Sequence, residues 1–340
     1  MPQDGDRDPW APDLSREIAR SAPGRSSSGF YAGAPEPEPG TAGLGLGRPE
    51  SLEDVDDEHH EQVEVVPVRR QLSVAIAGFA ALLAAGLILG AQTSGPDARA
   101  PYAIVIFGVQ LLFVLAWTMA MRPPAALTVA GVCVIAGLLA DYAAVTTETA
   151  NLLPLLYVAL PAFGAAIIGQ SIRAADRQRV RDALGTTLLL VLGVVAFASL
   201  IVLTRKPIGT QAVMVCLAAA GVSLVVARLT DAIFAKPRIA QQVPRGATGI
   251  ILGAMLGTLA AAGLGSVLVL PFNPAKGAIL GLVAAGLAGL VDLAVNYTEA
   301  SRSMAGDAPT FWLARHMQGP LGAFALASPV AYALTVFFLS

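Results

Sequence analysis

An all-α, polytopic membrane bundle is the fold class this sequence predicts, and three observations predict it. Hydrophobic residues make up 55% of the chain, charged residues 14%, and mean hydropathy is +0.65, outside the range of ordinary soluble domains. Nine apolar runs follow residue 70, each approaching the roughly 20 residues needed to cross the hydrocarbon core. The runs lack the period-2 pattern of a barrel, and an open sheet cannot satisfy its backbone in lipid, so strands are excluded from them.

Residues 1–68 read differently. They are rich in Pro, Gly, Ser and acids, as in GAPEPEPGTAGLGLGRPE and the acidic run EDVDDEHHE, and predict a disordered tail. Fifteen acids face five arginines there, a net charge of −10, while the remainder carries +8. The excess of basic charge lies where membrane loops are expected and does not imply nucleic acid. No secretory signal is visible, because the start is acidic and lacks an apolar core. His59 and His60 read as part of a solvated tail, and GLGLG is too short for a nucleotide loop. A charged tail of this kind suits recruitment of a protein partner, but no residue pattern names one.

The membrane domain is expected over 69–340. Its spans are predicted at about Leu72–Ala91, Pro101–Met121, Ala125–Val145, Leu152–Gly169, Ala183–Leu203, Ile208–Ala227, Ala247–Leu270, Gly277–Thr298 and Gly319–Leu339. Placing the N-terminus in the cytoplasm puts thirteen basic residues in inside loops and four in outside loops. The four are Arg99, Arg205, Lys206 and Lys276. The expected location is therefore the cell membrane, multi-pass, with a cytoplasmic N-terminus. Cys133 and Cys216 lie in apolar runs and read as small buried hydrophobes, not as a disulfide or zinc site. Nineteen arginines against three lysines, with abundant Ala and Gly, suggest a GC-rich bacterial genome.

The eighth span carries the most informative residue. From Gly277 to Val291 it is uncharged, and then Asp292 follows inside the apolar run. An embedded carboxylate costs about 2.5–3.5 kcal/mol on insertion scales and calls for a wet cavity, a partner or a metal. The small residues Gly277, Gly281, Ala284, Ala285, Gly286, Ala288 and Gly289 permit close helix approach. Asp141 lies near the outer end of the third span and is expected to snorkel to the interface. Asp231 sits where the sixth span leaves the membrane, and Asp307 in the last inside loop. Asp231, Asp292 and Asp307 converging at the cytoplasmic face would suit Mg²⁺, an ion that takes oxygen ligands and bridges to phosphates. Lys236, Arg238 and Arg245 would then neutralise a phosphate. The bland alternative pairs Asp292 with an arginine such as Arg302 for packing alone. No P-loop, HExxH or GxSxG occurs, and a lone His316 beside Arg315 reads as a loop residue. A secondary transporter would show internal repeats, and the Pro154 and Pro161 pair has no counterpart in the other half.

From about Val222 to Leu339 the chain resembles the phosphatidate cytidylyltransferase (CDP-diacylglycerol synthase) family. Three stretches carry the likeness: FAKPRIAQQVPRGATGIILGAMLG after Asp231, KGAILGLVAAGLAGLVDLAVN ending at Asn296, and SPVAYAL from Ser328. The resemblance places Asp292 on the family's acid. It implies a polytopic fold, phosphatidic acid and CTP as substrates, and Mg²⁺. Asp231 and Asp292 would be catalytic, with Asp307 as a further metal ligand and Lys236, Arg238, Arg245 and Asn296 toward substrate. The departures fall on phosphate-contacting groups: Val243 to Gly249 lacks the family's lysine pair and glutamate, and Val291 replaces a glycine before Asp292. The expected function is an accessory or lipid-binding membrane protein with a degenerate cytidylyltransferase-like site. The alternatives are an active CTP-dependent transferase of phospholipid biosynthesis and a membrane scaffold with a partner-binding tail.

Overall fold

The computed structural model describes residues 67–93, 99–173, 180–181, 183–306 and 311–339. Residues 1–66, nearly all of the expected tail, lie outside the described residues. Among the described residues, nine helices are long and apolar enough to cross a membrane. They are α1 (Arg70–Gln92), α2 (Ala100–Met121), α3 (Ala126–Thr146), α4 (Leu153–Arg173) and α5 (Leu184–Thr204). The chain continues through α6 (Gly209–Ile233), α7 (Ala247–Val267), α8 (Pro274–Met304) and α9 (Trp312–Leu334), which runs into a π-helical turn over Thr335–Leu339. The chain is thus an all-α polytopic membrane bundle.

Several helices outrun their predicted spans. The sixth extends to Ile233 and takes in Asp231; the ninth starts at Trp312, seven residues before the predicted Gly319. Hydropathy marks where the hydrocarbon ends, whereas a helix continues until its backbone is capped or broken. The start of α8 is set by such a cap: Asn273 accepts the N–H of Lys276 at 2.8 Å, and Pro274 occupies the first turn. At 31 residues α8 is about 46 Å long at 1.5 Å per residue, so its polar C-terminal turns project beyond a 30 Å core.

Helices in lipid gain little from burying apolar surface against each other, so close packing of small side chains must hold them. The tightest unit is built that way. Gly249, Gly253 and Gly257 form a stripe on α7 against Ala227, Ser223 and Ala219 of α6. A Cβ on Gly253 would lie 2.5 Å from the Ser223 carbonyl oxygen. On the next interface Gly277 and Gly281 of α8 abut Ala261 of α7. The Ser223 hydroxyl donates to the Ala285 carbonyl at 3.0 Å, tying α6 to α8. α1 packs on the far side of α6. The second group is α2, α3, α4 and α5, and α9 contacts both groups through α8, α6, α5 and α2. Phe113, Trp117 and Phe197 stack where α2 meets α5.

Two basic residues assigned to outside loops close a helix end. Arg99 donates to the Val145 carbonyl at 3.0 Å. Arg205 donates to the Ala144 carbonyl at 2.8 Å, to Glu148 at 3.0 Å, and to the Thr147 carbonyl. Together they satisfy the orphan carbonyls at the α3 C-terminus and complement its dipole. Burial, and then the neighbouring Arg99, pull the Arg205 guanidinium below its ordinary value.

Gly253→Val should lower the melting temperature in detergent, because overpacking costs about 1–3 kcal/mol. Gly86→Val, where an added Cβ meets nothing within 4 Å, should leave it unchanged. The buried thiols of Cys133 and Cys216 provide the readout, since a thiol-reactive dye labels them only on unfolding.

Candidate functional site

After α6 the chain doubles back through residues 234–246 and enters α7. Arg238 and Gly246 form an isolated antiparallel bridge, and Ala247 donates its N–H to the Pro237 carbonyl at 2.9 Å. Gly246 lies against Ala235 so closely that a Cβ there would sit 2.9 Å from the Ala235 carbonyl carbon. Its N–H donates to Asp231 Oδ1 at 2.9 Å. Asp231 therefore secures the residue that caps α7, at the helix end where a negative charge is favoured. With Gly246 fixed, the preceding side chain, Arg245, is directed into the bundle and is fully buried.

Arg245 joins two helices there. Its Nη1 lies 2.9 Å from Asp231 Oδ2 and its Nη2 lies 2.9 Å from Asp292 Oδ2. Neither contact meets hydrogen-bond alignment, so both are ion pairs by proximity. Arg228, one turn before Asp231 on α6, donates to Asp292 Oδ1 at 2.5 Å. The Arg228, Asp231 and Asp292 side chains are all nearly inaccessible. Two acids and two guanidiniums thus form a buried quartet with zero net charge, and each of the four carboxylate oxygens has a protein partner. Gly319 of α9 covers the cluster, and a Cβ there would collide with Asp292 Oδ1. Burial pulls the Arg245 guanidinium below its ordinary value; Asp292 acts most strongly in the opposite sense, Arg228 adds to the lowering, and Asp231 opposes it.

The structure brings Asp231, Asp292 and Arg245 together. Asp307 lies outside the described residues. Lys236 is exposed, and its carbonyl accepts from the Thr248 hydroxyl at 2.7 Å. Arg238 is half-buried in the bridge. The Asn296 amide folds back on its own helix and donates to the Asp292 carbonyl at 2.5 Å. His316 is a helical residue of α9 beside Trp312, and its neighbour Arg315 pairs with Glu299 across to α8.

Two residues depart from expectation. Asp141 does not snorkel: it is 5% exposed and accepts from Gln110 Nε2 at 2.9 Å, because α2 presents a donor inside the bundle and Gly137 leaves space for it. Asp292 does pair with arginine, as the bland alternative has it, but with Arg228 and Arg245; Arg302, the example named, donates to the Ala120 carbonyl at 2.8 Å. The residue sequence reasoning missed is Arg228, counted as a loop charge. Its signal was present, since it stands three residues before Asp231 in an apolar run, where an unpaired charge is costly.

Chemically, the quartet is a neutral clamp between α6, α7 and α8. Among the described residues, no group of three or more His, Cys, Asp or Glu is placed to hold a metal ion. Comparison of the chain with protein families, curated proteins and solved structures finds no match.

Removing one member of a buried ion pair costs about 3–5 kcal/mol, because the partner charge stays buried. Asp292→Asn and Arg228→Gln should each lower the melting temperature strongly. The double variant should lose clearly less than the two single losses combined, which a double-mutant cycle on purified protein measures.

Proposed function

We propose that this chain is a non-catalytic membrane protein of phosphatidate-cytidylyltransferase-like ancestry, acting in an accessory, lipid-binding role. The observation that carries the reading is the engagement of all four carboxylate oxygens of Asp231 and Asp292 by Arg228, Arg245 and the Gly246 N–H. Mg²⁺ needs free carboxylate oxygens, and here two guanidinium charges stand where a divalent cation would bind. A phosphate-gripping role for Arg245 has the same difficulty, since its charge is committed to the two acids. The positive-inside asymmetry supports a cytoplasmic placement of this end of the bundle.

One observation favours the runner-up, an active CTP-dependent transferase. Asp231 and Asp292 converge at one end of the bundle, as the family resemblance implied. In that reading Arg245 would swing out when nucleotide and Mg²⁺ enter, and the metal and basic groups would stabilise charge during attack of the lipid phosphate on the α-phosphorus of CTP.

Full-length protein given CTP, phosphatidic acid and Mg²⁺ should release no pyrophosphate, under conditions where an authentic cytidylyltransferase does. Excess chelator should leave its melting temperature unchanged. Pyrophosphate release by the wild type, abolished in Asp292→Asn, would instead establish the transferase.

A further inference from the structure

The face of α8 turned away from the quartet borders a cavity of about 910 Å³, within the size range of small-molecule pockets. Its walls come from α2, α4, α5, α8 and α9. Val291, Ala294, Val295, Thr298 and Arg302 form the α8 wall, a stripe at helical spacing. Along α8 and α9 the walls extend over twelve residues each, Val291 to Arg302 and Gln318 to Pro329, or about 16 Å end to end. That is about half the hydrocarbon thickness of a bilayer, the reach of one leaflet. Leu189, Leu192 and Leu326 line it and are 51%, 48% and 43% exposed, so the trough opens laterally toward lipid.

Apart from Ser199, whose hydroxyl donates back to the Ala196 carbonyl of its own helix, the polar lining gathers at one end. There Thr298, Glu299 and Arg302 of α8 meet Gln318 of α9, the end where α2 finishes at Met121. Gln318 is 4% exposed and lines this end of the trough. An amide at a lining position offers both a donor and an acceptor to a ligand head group. Membrane water or a second polypeptide suits this shape poorly: the long wall is hydrocarbon-like and only the end is polar. An amphiphile with a long apolar chain and a hydrogen-bonding head matches both parts.

We infer that this trough is a binding site for one glycerophospholipid, its acyl chain lying along α8 and α9 and its head group bonded at Gln318. The inference deepens the lipid-binding reading above, and rests on it, by locating the site away from the aspartates. Ala294 lies exposed on the α8 wall, so a large side chain there fills the trough without entering the core.

The test is native mass spectrometry of full-length protein released from nanodiscs of phosphatidylcholine and phosphatidic acid in equal parts. Wild type should retain one lipid per chain, and so should Ala85→Trp, an exposed position on α1 outside the trough. Ala294→Trp should reduce occupancy at least about tenfold. Gln318→Leu should reduce it about two- to tenfold, the effect of one hydrogen bond. If Ala294→Trp fails to fold, Leu326→Trp blocks the trough from the opposite wall. Full retention by the blocked variant would overturn the site while leaving lipid binding elsewhere intact. Absence of lipid from wild type, or a dimer mass that only the blocked variant loses, would overturn the lipid assignment itself. None of these outcomes bears on pyrophosphate release, so failure of the site and failure of the non-catalytic reading are separable.

Discussion

The Arg245 guanidinium, held between Asp231 and Asp292, is the interaction on which the second half of the bundle depends. It ties the end of α6, the entry to α7 and the polar third of α8 into one unit. In lipid each of these charges alone would be expensive, and a charge missing its partner would be more so. Pairing two acids with two arginines removes the net charge and makes each member necessary to the others. The glycine stripe of α7 brings the backbones close enough for this to happen. Gly319 then closes the cluster from α9.

The helix that carries Asp292 presents two faces of different chemistry. One face is small and polar, with Gly277, Gly281 and Asp292 against α7 and α6. The other is the stripe from Val291 to Arg302 that borders the lipid-sized trough. Residues one apart on a helix point about 100° away from each other, which is why Val291 and Asp292 take part in different structures. The clamp supplies rigidity beside the trough, and the trough needs only a stable wall. A charge cluster that resembles a metal site and an apolar concavity thus belong to one piece of architecture with separate roles.

Elsewhere polar groups inside the bundle are handled in the same way. Asp141 is met by Gln110, which also donates to the Val194 carbonyl at 3.1 Å and so links α3, α2 and α5. Arg205 and Arg99 spend their donors on the carbonyls at the end of α3. Tyr332 of α9 reaches the Ala150 carbonyl at 3.2 Å, closing the opposite end of the bundle. In each case the alternative is an unsatisfied group in hydrocarbon, which explains why charges in this chain sit beside helix ends or opposite donors.

The sequence by itself determined the membrane bundle, the number of spans among the described residues and the importance of Asp292. Each follows from a local quantity: the length of apolar runs against bilayer thickness, and the cost of a carboxylate in lipid. It also brought Asp231, Asp292 and Arg245 into one group. The tertiary structure alone decided what that group does. Whether a carboxylate meets a metal, water or a guanidinium depends on which helix faces it. Arg228 was hidden because its charge counted toward topology, and its rotation toward α8 is not written in hydropathy. The inward turn of Asp141 was missed for the same reason, since its partner lies 31 residues away on another helix. The trough belongs to this class too: five helices make it, and no single segment carries its pattern.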